Sequence, residues 1–228
     1  MPSHEGAAWG VVVPVKLLVG AKTRLQAYGD AAREQLALAF AADVVAAALR
    51  CPRVQRVLVV TDDVRAAPVL RALGASITAD RPAAGLNPAL GHGAALLRRA
   101  HPRCGVVALA SDLPALTAAD LDAVLGAAPP SGRVFVPDLD GSGTTLLAAT
   151  GDLPLAPAFG TGSRLRHLRS GAVEVPGGAG LRRDVDTPAD LAEAVALGVG
   201  EHTRSALATP ATARPSRDGA RWSGEHPG

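Results

Sequence analysis

Two segments of the chain carry aspartates in a setting that suits metal and phosphate chemistry. Residues 106–114 are an apolar run that reaches Asp112, and residues 181–191 contain Asp184 and Asp186. Each segment is predicted to place carboxylates where a strand gives way to a helix, the edge at which open α/β sheets bind ligands. Together with lysines near the N-terminus, these carboxylates indicate Mg²⁺ and phosphate chemistry.

The two later aspartates alternate around Val185, so in an extended segment they point to the same side. Their charges then repel, and a cation would relieve that repulsion. The alternatives are that Asp112 only caps the turn after its strand, and that one later aspartate pairs with Arg182 or Arg183.

A basic loop follows the first apolar run. Lys16, Lys22 and Arg24 lie within a short segment after a predicted strand, which suits a clamp for phosphate groups. The alternative is a solvated basic loop. The segment lacks the glycines of a Walker A loop or a dinucleotide fingerprint.

Two further segments, 141–145 and 159–163, are rich in glycine and hydroxyl side chains. Such loops can present N–H groups and hydroxyls to anions, although ordinary turns use the same residues. The amide of Asn87, before a predicted helix, could read a base edge or act as a helix cap. The histidines, including His167, have no metal-ligand spacing, and we assign them no metal role.

Strand and helix patterns alternate early in the chain, and a pair of strands follows. Strands are predicted at 9–15, 54–60, 76–79, 104–110, 133–137 and 144–149, and helices at 30–50, 87–100, 163–169 and 187–197, with further helices ending near 73 and beginning at 117. Asp30 is the predicted cap of the first helix, and Thr117 and Thr187 begin predicted capping boxes. This order predicts an α/β fold with a mixed sheet. We expect one domain over residues 9–200, with disordered segments at 1–8 and 201–228.

Composition limits the partners. The 228 residues carry a net charge of +2, without a long basic run in the periodic part, so a nucleic-acid partner is not predicted. No apolar segment approaches the ~20 residues of a membrane helix. The N-terminus has no signal-peptide pattern, which predicts a cytoplasmic protein.

Taken in order, these segments resemble a known family. The motifs are Lys16…Lys22-Thr23-Arg24-Leu25, Gly85-Leu86-Asn87, Asp112-Leu113-Pro114-Ala115-Leu116, Gly143-Thr144, Phe159-Gly160…Ser163 and Gly180-Leu181-Arg182…Asp184-Val185-Asp186-Thr187-Pro188. Over about residues 9–200 they are similar to the guanylyltransferases of coenzyme F420 biosynthesis, which act on phosphoenolpyruvate or 2-phospho-L-lactate. The resemblance implies a three-layer α/β/α nucleotidyltransferase fold, GT-A-like and Rossmann-like, with a mixed and mostly parallel sheet.

The resemblance also implies roles at matching positions. Mg²⁺, as two ions, would be held by Asp112 and Asp184 with Asp186 nearby. The remaining roles are the phosphorylated three-carbon acid at Thr144, Gly160 and Ser163, the triphosphate of GTP at Lys16, Lys22 and Arg24, and the nucleotide near Asn87. Pro88 departs from the family pattern. A proline is acceptable at a helix start, but it changes the hydrogen-bond donors there.

The implied reaction joins GTP to the acid, releases pyrophosphate and gives a guanosine diphosphate ester for the next enzyme of coenzyme F420 assembly. A composition typical of GC-rich genomes favours an actinobacterial source and, by analogy, phosphoenolpyruvate over 2-phospho-L-lactate. A molybdopterin or sugar-phosphate nucleotidyltransferase is an alternative, although such enzymes carry a glycine-rich loop after the first strand. A receiver-like regulatory module, suggested by Asp62 and Asp63 after a strand, is the non-enzyme alternative.

Overall fold

The computed structural model of the chain describes residues 8–81 and 83–208. Its strands are β1 (Trp9–Pro14), β2 (Val54–Val60), β3 (Ser76–Thr78), β4 (Gly105–Leu109), β5 (Gly132–Val136), β6 (Leu146–Thr150) and β7 (Val173–Glu174). Its α-helices are α1 (Asp30–Arg50), α2 (Ala66–Ala72), α3 (Leu86–Ala100), α4 (Ala118–Gly126), α5 (Ser163–Arg169), α6 (Ala179–Arg182), α7 (Pro188–Leu197) and α8 (Glu201–Ala208). A 3₁₀ helix spans Thr23–Tyr28.

The seven strands form one mixed sheet in the order β3-β2-β1-β4-β6-β5-β7. Only β6 runs antiparallel to its neighbours β4 and β5 among the strands described. The chain leaves β1 toward β2 on one side and returns to β4 on the other. The carboxyl ends of β1 and β4 therefore flank the switch point where such sheets bind ligands.

Apolar side chains on the two faces of the sheet pack against separate helix layers. Val11 and Val13 face a core that includes α1, α2 and α4, whereas Val12, between them, faces a core that includes α3. This alternation is what a strand buried on both faces requires. It produces the three layers that the family resemblance implied.

Most predicted elements are confirmed, several to the residue. Thr117 and Thr187 form the predicted capping boxes, each with an aspartate three residues later. The prediction that Asp30 caps α1 is wrong. Gly29 occupies the cap position, and Asp30 is the first helical residue, bonded to Arg33.

The C-terminal prediction needs a correction. Residues 201–208 were expected to be disordered, but they form α8, which packs on α1. The Asp43 carboxylate accepts hydrogen bonds from the N–H groups of His202 and Thr203, and so caps this helix from a distant part of the chain. Local composition could not reveal a cap that lies so far away in sequence. The expected disorder of residues 1–7 and 209–228 lies outside the described residues.

No helix in the described part of the chain has the length and apolar character needed to cross a bilayer.

Candidate active site

A cleft of about 1140 Å³ opens at the edge of the sheet where β1 and β4 end. All the predicted site residues except Asn87 and Ser163 line it: Lys16, Lys22, Arg24, Asp112, Thr144, Gly160, Asp184 and Asp186. Thr144 reaches this edge because β6 is antiparallel, which brings its start beside the end of β4. The N–H of Ala110 bonds the carbonyl of Thr145 at 2.9 Å across that junction.

The basic loop begins on a fixed base. The N–H of Val15 bonds the carbonyl of Val60, and the N–H of Leu18 donates to the Asp63 carboxylate at 2.8 Å. Asp63 is only 4% exposed, and it also accepts from the N–H groups of Arg65 and Ala66. Asp63 therefore anchors this loop to the start of α2, a structural task that removes the main support for the receiver-like alternative.

Lys22 lies between two of the predicted carboxylates. Its ammonium nitrogen is 2.5 Å from Asp112 Oδ2 and 2.8 Å from Asp186 Oδ1, and its side chain is 12% exposed. Burial acts to lower the pKa of Lys22, but the charges of Asp112 and Asp186 outweigh it and raise that pKa to about 12. Arg24 adds a longer contact of 3.7 Å to Asp186. The basic loop is thus tied to the acidic residues across the cleft.

Asp184 has a different environment. Burial raises its pKa to about 7, and the nearby charge of Asp112 acts in the same direction. A carboxyl group so placed gains most from an added cation, because that cation offsets both causes. Among the residues that the structure describes, neither alternative partner predicted for Asp184 and Asp186 is used. Arg183 pairs with Asp190 and Glu193, and Arg182 donates to the carbonyls of Pro137 and Asp138.

The segment that carries these two aspartates is not a strand end. Residues 183–187 connect α6 to α7 without strand pairing, so that prediction is wrong for the second motif. The predicted alternation nevertheless holds, because Val185 is fully buried while Asp184 and Asp186 line the cleft. The N–H of Val185 bonds the Asp112 carbonyl at 3.0 Å, which joins the two acidic motifs.

The three carboxylates share the cleft without forming a ready-made metal cage. Across residues 8–81 and 83–208, no group of three or more His, Cys, Asp or Glu side chains is arranged to hold a metal ion. The ammonium group of Lys22 contacts two of the three carboxylates instead.

The opposite side of the cleft contains Thr144 and Gly160, and Asp138 and Asp140, from the same β5–β6 connection as Thr144, also line the cleft. Thr144 Oγ1 is 2.9 Å from His167 Nδ1 and 3.1 Å from the hydroxyl oxygen of Ser163. Ser163 and His167 have no exposed surface, so the structure brings Thr144 to the cleft but keeps the Ser163 side chain behind it. The Ser163 N–H is also used within the turn, where it bonds the Gly160 carbonyl.

Gly160 belongs to a loop that its neighbours hold on both sides. Asn87 Oδ1 accepts from the Phe159 N–H at 2.7 Å, and Asn87 Nδ2 donates to the Phe159 carbonyl at 3.1 Å. The Arg166 guanidinium donates to the carbonyls of Ala158, Phe159 and Thr161. Gly160 itself has a φ of +111°, in the region that favours glycine. Asn87 therefore holds this loop, and its amide does not line the cleft as a nucleotide contact would.

Sequence reasoning missed the supporting residues of this side. Arg166 and His167 follow Ser163 by three and four positions on α5, the spacing that places helical side chains on one face. That spacing was the available signal. The Arg182 guanidinium, which holds the carbonyls of Pro137 and Asp138, was noted only as a possible ion-pair partner.

The sequence is similar to a known protein family and to named relatives. The family described as guanylyl transferase, CofC like, matches residues 9–213. The phosphoenolpyruvate guanylyltransferase of Thermomonospora curvata is 53% identical over 209 residues, which cover 90% of this chain and 92% of that protein.

Solved structures share the fold at low sequence identity. A putative nucleotide-diphospho-sugar transferase from Desulfovibrio desulfuricans G20 aligns with a TM-score of 0.60 at 19% identity, over 80% of this chain and 84% of that one. A Mycobacterium tuberculosis H37Rv protein in complex with manganese aligns with a TM-score of 0.51 at 21% identity, over 83% and 98% of the two chains.

Proposed function

The chain belongs to the CofC-like guanylyl transferase family, and on that premise we propose that it joins GTP to phosphoenolpyruvate. The products are enolpyruvyl-diphospho-5'-guanosine and pyrophosphate, in coenzyme F420 biosynthesis. The observation that carries the proposal is that one cleft has two sides of different character, a charged side with the lysines and the metal-binding carboxylates and an opposite side with hydroxyl and glycine loops. Lysines and carboxylates on the first suit a triphosphate and a metal, and the hydroxyl and glycine loops on the second suit a small phosphorylated acid.

The reaction needs little proton chemistry. A phosphate oxygen of phosphoenolpyruvate attacks the α-phosphorus of GTP, and the bond from that phosphorus to the pyrophosphate oxygen breaks. A phosphate monoester has a second pKa near 6, so the attacking oxygen is already largely deprotonated at neutral pH. The protein has to neutralise charge and align the two phosphates, which cationic side chains and fixed donors can do.

On the charged side, Lys16, Lys22 and Arg24 are proposed to bind the triphosphate. Lys16 lines the cleft and is exposed, and Lys22 and Arg24 already contact acidic partners there. A lysine ammonium on the leaving pyrophosphate offsets the negative charge that develops there. This assignment gives Lys22 two sets of partners, the carboxylates and the phosphates.

The carboxylates fit a divalent cation. Asp112, Asp184 and Asp186 offer only oxygen atoms, the donor type that Mg²⁺ prefers. The pKa of Asp184 is raised to about 7 by burial and by the charge of Asp112, which is the situation that a bound cation relieves. When bound, Mg²⁺ would supply charge neutralisation to the phosphates. The manganese complex of one solved relative supports divalent metal use, and two ions stay a prediction.

On the opposite side, Thr144 and Gly160 are proposed to contact the acid directly, and Ser163 to act from behind Thr144. The cytoplasmic location and the transfer of the product to a later enzyme of the same route also stay predictions.

The test is pyrophosphate release with GTP and Mg²⁺, with phosphoenolpyruvate and 2-phospho-L-lactate in separate reactions and the nucleotide product identified by mass. We expect release with phosphoenolpyruvate and a product of the mass of the diester. Release with 2-phospho-L-lactate alone would change the acceptor but keep the reaction class. Release with neither acid, in protein that binds GTP, would overturn the proposal.

A further inference from the structure

A buried chain of hydrogen bonds lies behind Thr144. It ends on the backbone of the loop that carries Gly160, residues 158–162, called the glycine loop below. His167, at the centre of this chain of hydrogen bonds, has no exposed surface, and its ring lies against Phe135 and Phe159 with centroids 5.6 and 5.5 Å away. Its two nitrogens face different partners, Thr144 Oγ1 at 2.9 Å and the N–H of Ala158 at 3.0 Å. Neither partner is charged, so the hydrogen bonds decide which nitrogen carries the proton.

The Ala158 contact fixes the tautomer. A backbone N–H can only donate, so His167 Nε2 must accept and cannot carry a hydrogen. Burial lowers the pKa of His167 to about 4, and the charges of Arg166 and Arg133 act in the same direction, so the ring is neutral at neutral pH. A neutral imidazole with a bare Nε2 carries its hydrogen on Nδ1. His167 Nδ1 therefore donates to Thr144 Oγ1.

Ser163 supplies a second donor to the same oxygen. Its hydroxyl is fully buried, and it donates to Thr144 Oγ1 at 3.1 Å. Buried hydroxyls are nearly always hydrogen-bonded, so this proton is committed. Thr144 Oγ1 then accepts from both His167 and Ser163, and its own hydrogen is left for a third partner. Of the three side chains, only that of Thr144 lines the cleft.

We propose that His167 is a positioning residue that, with Ser163, fixes the Thr144 hydroxyl as a hydrogen-bond donor toward the phosphorylated acid. The inference rests on the proposed function, because that acid is the ligand on this side of the cleft. A deprotonated carboxylate or phosphate offers only acceptors, so a hydroxyl locked as a donor matches it without having to reorient. The same ring holds the Ala158 N–H, two residues before Gly160, and so orients the hydroxyl and the glycine loop together.

Two substitutions test the roles of the two ring nitrogens of His167 separately. In His167→Gln the terminal amide can reach the position of Nε2 and accept from Ala158, but the donor to Thr144 is lost. In His167→Asn the shorter amide can donate from the position of Nδ1, but the acceptor for Ala158 is lost. We expect His167→Gln to raise the KM for phosphoenolpyruvate about tenfold. In His167→Asn the KM for phosphoenolpyruvate should lie within about threefold of the wild-type value. The KM for GTP should stay within about twofold of wild type in both variants.

A double-mutant cycle tests whether His167 acts through Thr144. Thr144→Val removes the hydroxyl and should itself raise the KM for the acid about tenfold. In that background, His167→Gln should add little, because the group that it orients is gone. Thermal unfolding of every variant identifies a variant that fails to fold. Equal effects of Gln and Asn, or a full further loss in the Thr144→Val background, would overturn the proposal and leave His167 a packing residue.

The tautomer is measured independently on the wild-type protein. Two-dimensional ¹⁵N NMR of the histidine rings should show that Nδ1 of His167 carries the hydrogen and Nε2 does not. A hydrogen on Nε2 would overturn the proposal whatever the kinetics show. Absence of any turnover by the wild-type protein would instead refute the proposed function, so the two failures are distinguishable.

Discussion

The two sides of the cleft are stabilised in different ways. On the side proposed to bind the phosphorylated acid (the acid side), Thr144 is held by hydrogen bonds from Ser163 and His167 behind the cleft surface. The loop that carries Gly160 is held by hydrogen bonds with His167, Asn87 and Arg166. On the charged side, the loop of Lys22 and Arg24 is held across the cleft by ion pairs to the carboxylates expected to bind metal. The acid side can receive its ligand as it stands. On the charged side, Lys22 must exchange its carboxylate partners for phosphate groups when the ligands bind.

The exchange follows from the chemistry of the groups. A metal ion at Asp112 and Asp186 competes with the ammonium of Lys22 for the same oxygens. The triphosphate in turn offers Lys22 new anionic partners, so metal and nucleotide together replace the contacts that each disrupts. We therefore expect GTP and Mg²⁺ to bind cooperatively, and the acid to bind a pocket that changes little.

The largest predicted effect removes a carboxylate from the charged side. Asp112→Asn should lower kcat/KM about a thousandfold, because it weakens both metal binding and the anchor of Lys22. Initial rates of pyrophosphate release measure it. Asp152→Asn, at an exposed aspartate that does not line the cleft, is the matched control and should keep wild-type rates. Equal rates for the two variants would remove Asp112 from the site.

The second prediction concerns pH and the acid side. His167 has a pKa near 6.5 in an unfolded chain and about 4 in the fold, so below pH 6.5 the unfolded chain binds more protons. The free energy that the buried neutral ring of His167 contributes to folding is fully present above pH 6.5, and it is lost as the pH falls toward 4. The loss amounts to about 3 kcal/mol. Urea unfolding across this range should show a weaker pH dependence in His167→Gln, and parallel curves would contradict the buried neutral ring.

The third prediction separates the two partners of Lys22. Lys22→Met keeps most of the length of the side chain but leaves two carboxylates, Asp112 and Asp186, without their ammonium partner. It should lower kcat/KM for GTP about thirtyfold. Mg²⁺ alone should then raise the unfolding temperature of this variant more than that of wild type. Lys16→Met is the control for this Mg²⁺ shift, because Lys16 is exposed on the same loop. The same Mg²⁺ shift in all three proteins would mean that Lys22 and the metal do not compete.

The smallest predicted effect sharpens the assignment of Asn87. Asn87→Ala removes both hydrogen bonds to Phe159 and should raise the KM for phosphoenolpyruvate about fivefold, with the KM for GTP nearly unchanged. Asn87→Asp keeps the acceptor but sets an oxygen against the Phe159 carbonyl, and it should behave like the alanine variant. An increase confined to the KM for GTP would restore the nucleotide contact implied by the family resemblance.

Sequence patterns predicted the mixed α/β sheet and the charged residues of the cleft because these depend on local periodicity and on strand ends. The three layers and the residues for the phosphorylated acid were implied by the family resemblance. Lys22 and Asp112 are separated by 90 residues, and their ion pair could be expected only as general proximity. The strand predicted before Asp184 was wrong because an extended segment pinned to Asp112 has the same alternation as a strand. Ser163 and Asn87 were identified as site residues, but their roles depend on which side of the Gly160 loop faces the cleft. Sequence spacing does not encode that choice.

Amide hydrogen exchange tests the difference between the two sides most directly. Exchange is followed in peptides that cover residues 16–25 and 158–167, with GTP and Mg²⁺ present and absent and no acid added. We predict that GTP and Mg²⁺ slow exchange about tenfold in the basic loop and change it less than about twofold in the glycine loop and α5. Slowing in 158–167 without a change in 16–25 would contradict the account, because the acid side would then be the part of the cleft that rearranges.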